Sequence, residues 1–408
     1  MAPPANVAST QQVWNGVALA LSSTHTDRKR KPAVEGLSLM TRGTAQGGVT
    51  RTSLADALDL GPAVWDELVA RGRSPSPFMS WAWHRAWADA APRGDLEASA
   101  VVLVRGPDGS LQALLPVRVG RVRFRRAWVQ ALTWAIGDTG CPDELDLPGV
   151  PEADWGALAA ALADLPWQVM ILSNLATGAP NVEHLTAALV RGGHAARQRP
   201  LWPCPQLDLP TSWDDYLASL SPNRRQILRR KERSLRREHA VTVTDYDGDR
   251  LDEGWGHLLA LHEQRWEEGG EGGVFRDPRS ERLQRQFARA MAEQQRLWLT
   301  TLDLGGRPAA AWYGFASGDT VYFYQGGRDP RWERESVGLV LMGIMIRRAI
   351  ERGYRAFNFL RGDDGYKRQW TASRRQTQET VVFRSGWGGT WLRALDAVAD
   401  LRGRLIRG

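Results

Sequence analysis

The spacing of apolar residues in the first half of the chain predicts helices that alternate with strands. Apolar residues recur every three or four positions in a helix and every second position in a half-buried strand. Residues 98–105 and 111–119 are two β-rich runs joined by a Pro-Asp-Gly-Ser turn, a pattern that predicts a hairpin. The other elements predicted here are helix 65–71, a helical stretch within 74–90, strand 127–134, helix 152–163, strand 167–173, helix 182–192 and strand 206–209.

The second half repeats this order of elements without repeating the sequence. Ser221 suits the N-cap of a long helix, and Pro222 suits its first position. A Gly-rich loop, EEGGEGGVFRDP, separates the two helices that follow. The elements predicted are helix 213–220, the long helix from 221, helices 251–266 and 279–294, strands 297–304, 309–317 and 320–325, helix 337–352, and strands 356–360 and 377–383.

The repeated order predicts an α/β fold of the mixed α+β kind. It would consist of two tandem units, each a mixed, largely antiparallel sheet flanked by helices. The expected divisions are a disordered tail at 1–53, a first unit at 54–210, a second unit at 211–390 and a helical tail at 391–408. Residues 200–211, rich in proline, are the expected linker.

The N-terminal residues are rich in Ser, Thr, Gly, Ala and Pro and have no periodicity, which is typical of disorder. Translation that begins at Met40 is an alternative to a start at Met1. The apolar run 13–21 is too short for a membrane helix and follows no basic region, so neither a membrane span nor a secretory signal is expected.

The amino-acid composition limits which partners, disulfides and metal sites can be expected. The 408 residues are 43% hydrophobic, enough for a sizeable core, and carry a net charge of +7 with a pI near 9.8. A basic surface favours anionic partners, including peripheral contact with anionic surfaces. Two cysteines and seven scattered histidines exclude a disulfide framework and any recognisable zinc motif. We therefore expect a cytoplasmic protein without a metal.

The segment FNFLRGDDGYKRQW, residues 357–370, is the richest in candidate chemistry. An apolar strand ends at a Gly/Asp turn, and strand ends are where α/β folds usually place reactive groups. A tight turn with a solvated lysine is the structural alternative. The candidate residues of this segment are Arg361, Asp363, Tyr366, Lys367 and Trp370.

The long helix from 221 carries arginines at steps of three or four, which places Arg225, Arg229, Arg233 and Arg236 on one stripe. Such a stripe suits a polyphosphate or an RNA backbone, and a solvated helix face is the alternative. Aromatic residues are not interleaved with it, which disfavours single-strand binding by stacking.

Three further groups could contact a substrate or cofactor. His262, Arg265 and Trp266 precede the Gly-rich loop, and His262 is either a base or a packed core histidine. The helix start at Arg334, Ser336, Val337 and Gly338 could bind phosphate through free backbone N–H groups, with Ser336 as cap. Tyr324, on a strand that ends in two glycines, is either a proton donor or a core aromatic residue.

These segments together resemble the GNAT-superfamily acetyltransferases of the cellulose-biosynthesis type, which are related to the FemAB aminoacyltransferases. The resemblance covers residues 54–385 and rests on LHEQRW, YQGGRDP, SVGL and FNFLRGDDGYKRQW, with SPFMSWAWHRAW, LLPVRV and GDTGCPDELDL in the first half. It implies two tandem GNAT-like units and acyl transfer to an amine. The usual pyrophosphate signature is reduced here to residues 334–338, and the helical hairpin of typical Fem enzymes is not evident.

The resemblance also implies roles for residues. Lys367 would lie near the reacting carbonyl or a phosphate, Asp363 would hold or deprotonate the amine, and Tyr324 would act as acid. The cofactor would be acetyl-CoA or another acyl-CoA, bound at Arg334, Ser336, Val337 and Gly338. The residues expected to bind substrate are Arg225, Arg229, His262, Arg265, Trp266, Arg361, Tyr366 and Trp370.

Three functions remain open from the sequence. The preferred one is N-acyl transfer from acyl-CoA to an amino sugar, a nucleotide sugar or a cell-envelope or polysaccharide precursor. The second is a Fem-like aminoacyl transfer from tRNA, which the arginine stripe motivates. The third is a non-catalytic basic binding module that keeps the fold, which the reduced phosphate loop motivates.

Overall fold

The computed structural model describes residues 48–72, 74–267, 273–362 and 365–407, with the side chains of residues 266, 267 and 402–407 left out. Its strands are β1 (Gly48–Ser53), β2 (Ser99–Arg105), β3 (Leu111–Phe124), β4 (Ala127–Trp134), β5 (Val169–Leu175), β6 (Ala195–Asp208), β7 (Val241–Asp245), β8 (Leu297–Leu304), β9 (Arg307–Ser317), β10 (Thr320–Arg328), β11 (Ala356–Asn358) and β12 (Arg374–Phe383).

Its helices are α1 (Leu54–Leu58), α2 (Gly61–Arg71), α3 (Trp81–Ala90), α4 (Arg93–Glu97), α5 (Trp155–Ala163), α6 (Pro180–Arg191), α7 (Trp213–Ser219), α8 (Pro222–Glu238), α9 (Leu251–Glu267), α10 (Pro278–Glu293), α11 (Val337–Glu351) and α12 (Trp387–Arg407).

One continuous sheet runs through the described part of the protein, in the order β1-β2-β3-β4-β5-β12-β6-β11-β10-β9-β8-β7. The pairs β4–β5 and β10–β11 are parallel, and the remaining neighbours are antiparallel. The predicted mixed α/β class, with a largely antiparallel sheet flanked by helices, is confirmed. The two predicted sheets join edge to edge.

Strand β6 makes the join, and this corrects the expected linker. Its residues 195–205 pair with β12, and its last three residues pair with β11. Prolines usually exclude a central strand because they lack an N–H donor. Here Pro203 and Pro205 contribute carbonyls instead, which accept from the N–H groups of Gly362 and Phe359. A proline-rich segment can therefore form the seam of the sheet.

Strand β12 crosses from the second half of the chain into the first half of the sheet. It lies between β5 and β6, with Val381 opposite both Ile171 and Arg197. The sheet of the first half is therefore completed by a strand that follows the second half in sequence.

Helices from both halves pack on one face of the sheet around a shared core. The Trp83 ring on α3 contacts the Phe287 ring on α10 edge to face, 4.9 Å apart. Helix α9 lies directly on β10, because a Cβ at Gly327 would stand 2.3 Å from the backbone N of His262. Helix α11 packs on the other face, in a separate apolar cluster that includes Trp312 and Phe357.

The strand β1 lies within the range predicted to be a disordered tail. It pairs with β2 at six successive positions, from Gly48 opposite Arg105 to Ser53 opposite Ala100. Residues 1–47, and with them Met40, lie outside the described residues. Among the helices of the described ranges, none combines the length and the apolar character needed to cross a membrane.

Candidate active site

The candidate site lies where two parallel strands separate. Strands β10 and β11 pair at only three positions, the last being Tyr322 opposite Asn358. Beyond this point β10 has an irregularity between Phe323 and Gln325, and the chain after β11 bonds to β6 instead. The carboxyl ends of the two strands therefore diverge, and such divergence opens a crevice in α/β sheets.

A segment of the first half, residues 137–147, closes one side of this crevice. The Tyr324 hydroxyl donates to the carbonyl of Gly140 at 2.6 Å. Arg361, directly after β11, donates from its side chain to the Asp143 carboxylate at 2.6 Å and from its backbone N–H at 2.9 Å. The same guanidinium also donates to Asp138 at 3.0 Å and to the Pro142 carbonyl at 2.6 Å.

Backbone strain is concentrated at this contact. Cys141, Glu144, Asn174 and Leu360 have φ values of 48°, 52°, 59° and 56° although none is a glycine. The left-handed region costs an ordinary residue about 1–2 kcal/mol. Side chains hold it in place: the Asn174 amide donates to Asp138 at 3.0 Å, and the Leu360 N–H donates to the Asn358 side chain at 2.8 Å. Strain held by its surroundings is typical of functional sites.

The buried charged groups at the crevice shift one another's pKa values. Burial opposes the charge of Arg361, yet the carboxylates of Asp138 and Asp143 hold its pKa well above its usual range. Burial raises the pKa of Asp143, and Arg361 opposes that rise. Burial raises the pKa of the Cys141 thiol to about 12, so this thiol stays protonated at neutral pH. It is therefore not an activated nucleophile.

Lys367 lies beneath the turn that follows β11. Its side chain is 6% exposed, and its ammonium donates to the carbonyls of Arg361 at 2.6 Å and Leu360 at 3.4 Å. The lysine thus places a positive charge at the strand end, against the carbonyls of Leu360 and Arg361. Asp363, predicted to act beside it, lies outside the described residues.

Arg265 and Tyr366, distant in sequence, meet at the end of β10. The Arg265 guanidinium stacks over the Tyr366 ring at 5.5 Å and donates to the carbonyl of Gly326 at 3.3 Å. The side chain of Trp266 lies outside the described residues. Arg265, Tyr366, Arg361 and Lys367, all predicted as site residues, therefore gather around the diverging strands.

Other predicted site residues have packing roles in the structure. His262 is 3% exposed, lies 4.8 Å from the Phe275 ring, and leaves no room for a Cβ at Gly273. Burial, with Arg265 nearby, lowers the pKa of His262 to about 4, so its ring is neutral at pH 7. Trp370 is also 3% exposed and lies under Arg224 at 5.0 Å. Their contact with substrate stays a prediction, and the structure shows them in the core.

The arginines of α8 divide into two kinds. Ser221 caps this helix as predicted, accepting from the Arg224 N–H at 3.4 Å. Arg225 donates to the carbonyls of Ala218 and Leu220, which ties α8 to the end of α7. Arg229 is half exposed and stands 3.9 Å from Asp214. The predicted stripe is therefore partly structural and partly open to solvent.

The predicted phosphate loop faces α8 across an open groove of about 210 Å³. The residues that line it are Arg230, Lys231, Ser234, Leu235, Glu238, Arg334 and Glu335. Lys231 donates to the Arg334 carbonyl, which holds loop and helix together. Ser336 does not cap with its side chain as predicted, because its own backbone is left-handed at φ 60°. Val337 and Gly338 form the first turn of α11.

Sequence reasoning missed the acidic half of the site. Asp138, Asp143 and Glu144 carry the contacts to Arg361 and Asn358, yet they lie more than 200 residues away along the chain. The available signal was three carboxylates within the Gly- and Pro-containing segment GDTGCPDEL, together with an arginine at a strand end. Among the described residues, no group of three or more His, Cys, Asp or Glu side chains is arranged to hold a metal ion.

Comparison with known proteins shows what this chain is similar to. Residues 222–368 match the acetyltransferase (GNAT) domain. The fold resembles a crystal structure of FemX, with a TM-score of 0.53 and 11% identity over 78% of this chain and 95% of that one. It also resembles the C-terminal domain (DUF2156) of a lysylphosphatidylglycerol synthetase homologue from Agrobacterium fabrum, with a TM-score of 0.50 and 12% identity over 86% and 96% of the two chains.

No curated protein matches the sequence significantly. At these identities the two solved structures establish a shared fold and nothing about substrate. The resemblance read from the sequence is nevertheless confirmed at the level of the superfamily. Residues 222–368 thus carry the match to the acetyltransferase (GNAT) domain, and the chain shares its fold with FemX.

Proposed function

We propose that the protein transfers an acyl group, and specifically acetyl, from acyl-CoA to an amine. The acceptor would be an amino sugar, a nucleotide sugar or a cell-envelope or polysaccharide precursor. One observation carries the proposal: β10 pairs with β11 at only three positions, and the last residue of β10, Arg328, reaches the first turn of α11, where its Cδ would lie 3.8 Å from a Cβ at Gly338. One bound acyl-CoA could then place its thioester between the strand ends and its diphosphate at the start of the helix.

The donor is supported by the charges along the phosphate loop. The first turn of a helix offers free N–H groups and the positive end of the dipole. Arg230, Lys231 and Arg334 add three cations at the groove between this loop and α8, against the two acids Glu238 and Glu335. The net positive charge suits the diphosphate of CoA. We propose Arg334, Ser336, Val337 and Gly338 as its contacts.

The reaction needs alignment and charge stabilisation from the protein rather than a covalent intermediate. The amine nitrogen bonds to the thioester carbon, the C–S bond breaks, and the amine loses a proton to a base. We propose Asp363 as that base and Lys367 as the cation near the developing oxyanion. The leaving thiolate takes a proton, for which we propose Tyr324 as donor. Burial raises the pKa of Tyr324 well above its usual range, so its hydroxyl is protonated.

The remaining proposed contacts surround the acceptor. Arg265, Tyr366 and Arg361 lie at the strand ends, and Arg225 and Arg229 lie on α8. Arg361 already donates four hydrogen bonds to three residues of the protein, which supports a role in shaping the crevice rather than in direct binding. Free thiols at Cys141 and Cys204 support the cytoplasm as the compartment.

Release of CoA from acetyl-CoA in the presence of a panel of amino sugars and nucleotide sugars tests the proposal. We expect Lys367→Met to lower the rate by about a hundredfold or more, because a single charge at the developing oxyanion contributes on that scale. Arg355→Ala is the matched control, since this arginine is 85% exposed and 4.0 Å from its carboxylate partner. A wild-type rate for Lys367→Met would show that the site is elsewhere.

A second candidate is aminoacyl transfer from tRNA. The half-exposed Arg229 and the neighbouring arginines of α8 support it, because a basic helix suits an RNA backbone. RNase treatment separates the two functions. It would abolish transfer from aminoacyl-tRNA and would leave transfer from acyl-CoA unchanged.

A further inference from the structure

The C-terminal helix α12 displays a row of apolar side chains to solvent. Trp387 is 95% exposed, Trp391 55%, Val398 51% and Leu401 61%. These residues, with the exposed Ala394, follow one another at steps of four, three, four and three, so they lie on one face of the helix. A continuous exposed row of this kind differs from the scattered apolar residues of an ordinary surface.

The other side of α12 is fixed to the body of the protein. Leu392 is 1% exposed and packs with Phe124, Val129 and Phe383 in a separate apolar cluster. Asp396 is 2% exposed and forms ion pairs with Arg125 and Arg197. The exposed row is therefore presented by a helix that is already anchored, and folding of the helix does not account for it.

The acidic side chains of this helix are paired with arginines of the protein body. Its two acids, Asp396 and Asp400, both face Arg125 and Arg197 and are neutralised within the protein. Arg393 is exposed, and the sequence of the helix continues with Arg402, Arg404 and Arg407 without another acid. The exposed apolar row therefore lies on a helix whose sequence after Asp400 carries only basic charges.

We propose that α12 docks the protein on a bilayer surface that contains anionic lipid. Tryptophan prefers the boundary between headgroups and acyl chains, and a helix with apolar residues on one face and arginines beside it lies in that boundary. A second copy of the chain fits less well, because pairing two such helices would bring their arginines together without acids to neutralise them. Charge complementarity therefore selects the anionic surface.

The docking helix begins beyond the end of strand β12 that lies away from the candidate active site. Strand β12 joins the two regions, because it begins four residues after Trp370 and ends four residues before Trp387. Its ten residues span about 30 Å at the usual rise of a strand. The docking helix and the crevice therefore lie near opposite ends of one strand, and the proposal does not depend on which acceptor the site uses.

Flotation of the full chain with vesicles tests the proposal. We expect binding to vesicles of phosphatidylcholine mixed with phosphatidylglycerol, weakening as salt rises, and little binding to phosphatidylcholine alone. Trp387→Ser with Trp391→Ser should lower the partition coefficient by about tenfold or more. The melting temperature should not change, because both side chains mainly contact solvent.

Trp128→Ser is the matched control, because Trp128 is 52% exposed on β4 and lies outside α12. It should bind vesicles as the wild type does. Three results would overturn the proposal: no binding to the anionic vesicles, equal binding to both kinds of vesicle, or a wild-type dimer that the double tryptophan variant converts to a monomer while neither binds lipid.

Discussion

Arg361 joins the two halves of the protein at the level of a single side chain. Its guanidinium is 8% exposed and meets Asp143, which is 1% exposed, at 2.6 Å. A buried pair of this kind adds little net stability compared with apolar residues, but the loss of one partner leaves an uncompensated charge. The pair therefore acts mainly to specify how segment 137–147 lies against the strand ends.

Asp143→Ala should lower the free energy of unfolding by about 1–3 kcal/mol, because the buried guanidinium of Arg361 would lose its nearer carboxylate and keep only Asp138 as an acidic partner. Urea unfolding measures this loss. The combination Asp143→Leu with Arg361→Met should recover much of the stability. If the single variant lost less than about 1 kcal/mol, Asp138 or solvent would have to compensate the charge of Arg361 without Asp143.

His84 should make stability depend on pH. Burial lowers its pKa from an ordinary 6.5 to about 4, opposed by a bond to the Ser80 carbonyl. Between these values the unfolded chain binds a proton that the folded chain does not. The free energy of unfolding should therefore fall as pH falls through this window, by up to about 3 kcal/mol from His84.

His84→Gln isolates this contribution, because glutamine does not titrate. Unfolding by urea at pH 7.5 and at pH 4.5 should show a smaller difference for the variant than for the wild type. Equal differences would mean that His84 is already protonated in the folded state or that it is solvated. Other buried groups, such as Asp146, change both proteins alike and cancel in the comparison.

At the scale of elements, two glycines beside the site differ in the room that they leave for a side chain. A Cβ at Gly327 would stand 2.3 Å from the backbone of α9, whereas a Cβ at Gly338 would meet nothing closer than 3.8 Å. Close approach of α9 to β10 places Arg265 at the strand end. The first turn of α11 needs no glycine for packing.

Gly327→Ala should therefore destabilise the protein by about 1–3 kcal/mol, because helix and strand must separate. Gly338→Ala should stabilise it by up to about 1 kcal/mol, since alanine favours a helix. Thermal unfolding measures both. A donor diphosphate packed against Gly338 would show itself as a raised KM for acyl-CoA in the second variant. Equal effects of the two changes on stability would contradict this account of the contact between α9 and β10.

Elements with a strong local signal could be predicted from the sequence, and those fixed by distant pairing could not. Ser221 and Pro222 predicted the start of α8 because a cap is a local feature. Only the end of strand β6 was predicted, as strand 206–209, and residues 195–205 escaped prediction because their prolines are tolerated through partners on β12 and on the chain after β11. Likewise Lys367 and Arg361 could be singled out in one motif, whereas Asp143 became visible only in the fold.

For the whole molecule, the position of β12 makes the two halves depend on each other. This strand follows the second half in sequence but lies in the sheet of the first half. Without β12, strands β5 and β6 would face an empty position in the sheet. The predicted units at 54–210 and 211–390 would then be regions of one cooperative fold rather than independent domains. The linear order of elements along the chain gave no sign of this, because it contains no information on which strands pair.

A fragment of residues 48–210 should therefore fail to fold alone. We expect far-UV circular dichroism without a cooperative thermal transition, and recovery of a transition when a peptide of residues 372–386 is added. A fragment with a cooperative transition of its own would contradict the dependence on β12. The full chain, unfolded in parallel, is the control.

The central claim is that the crevice between β10 and β11 binds an acyl-CoA donor. Calorimetric titration of the full chain with acetyl-CoA tests it most directly, with Lys231→Glu as the variant and Arg355→Ala as the control. We predict binding in the micromolar range that weakens with salt and is lost in Lys231→Glu but kept in Arg355→Ala. No heat with acetyl-CoA, together with salt-dependent binding of aminoacyl-tRNA by the same protein, would contradict the claim.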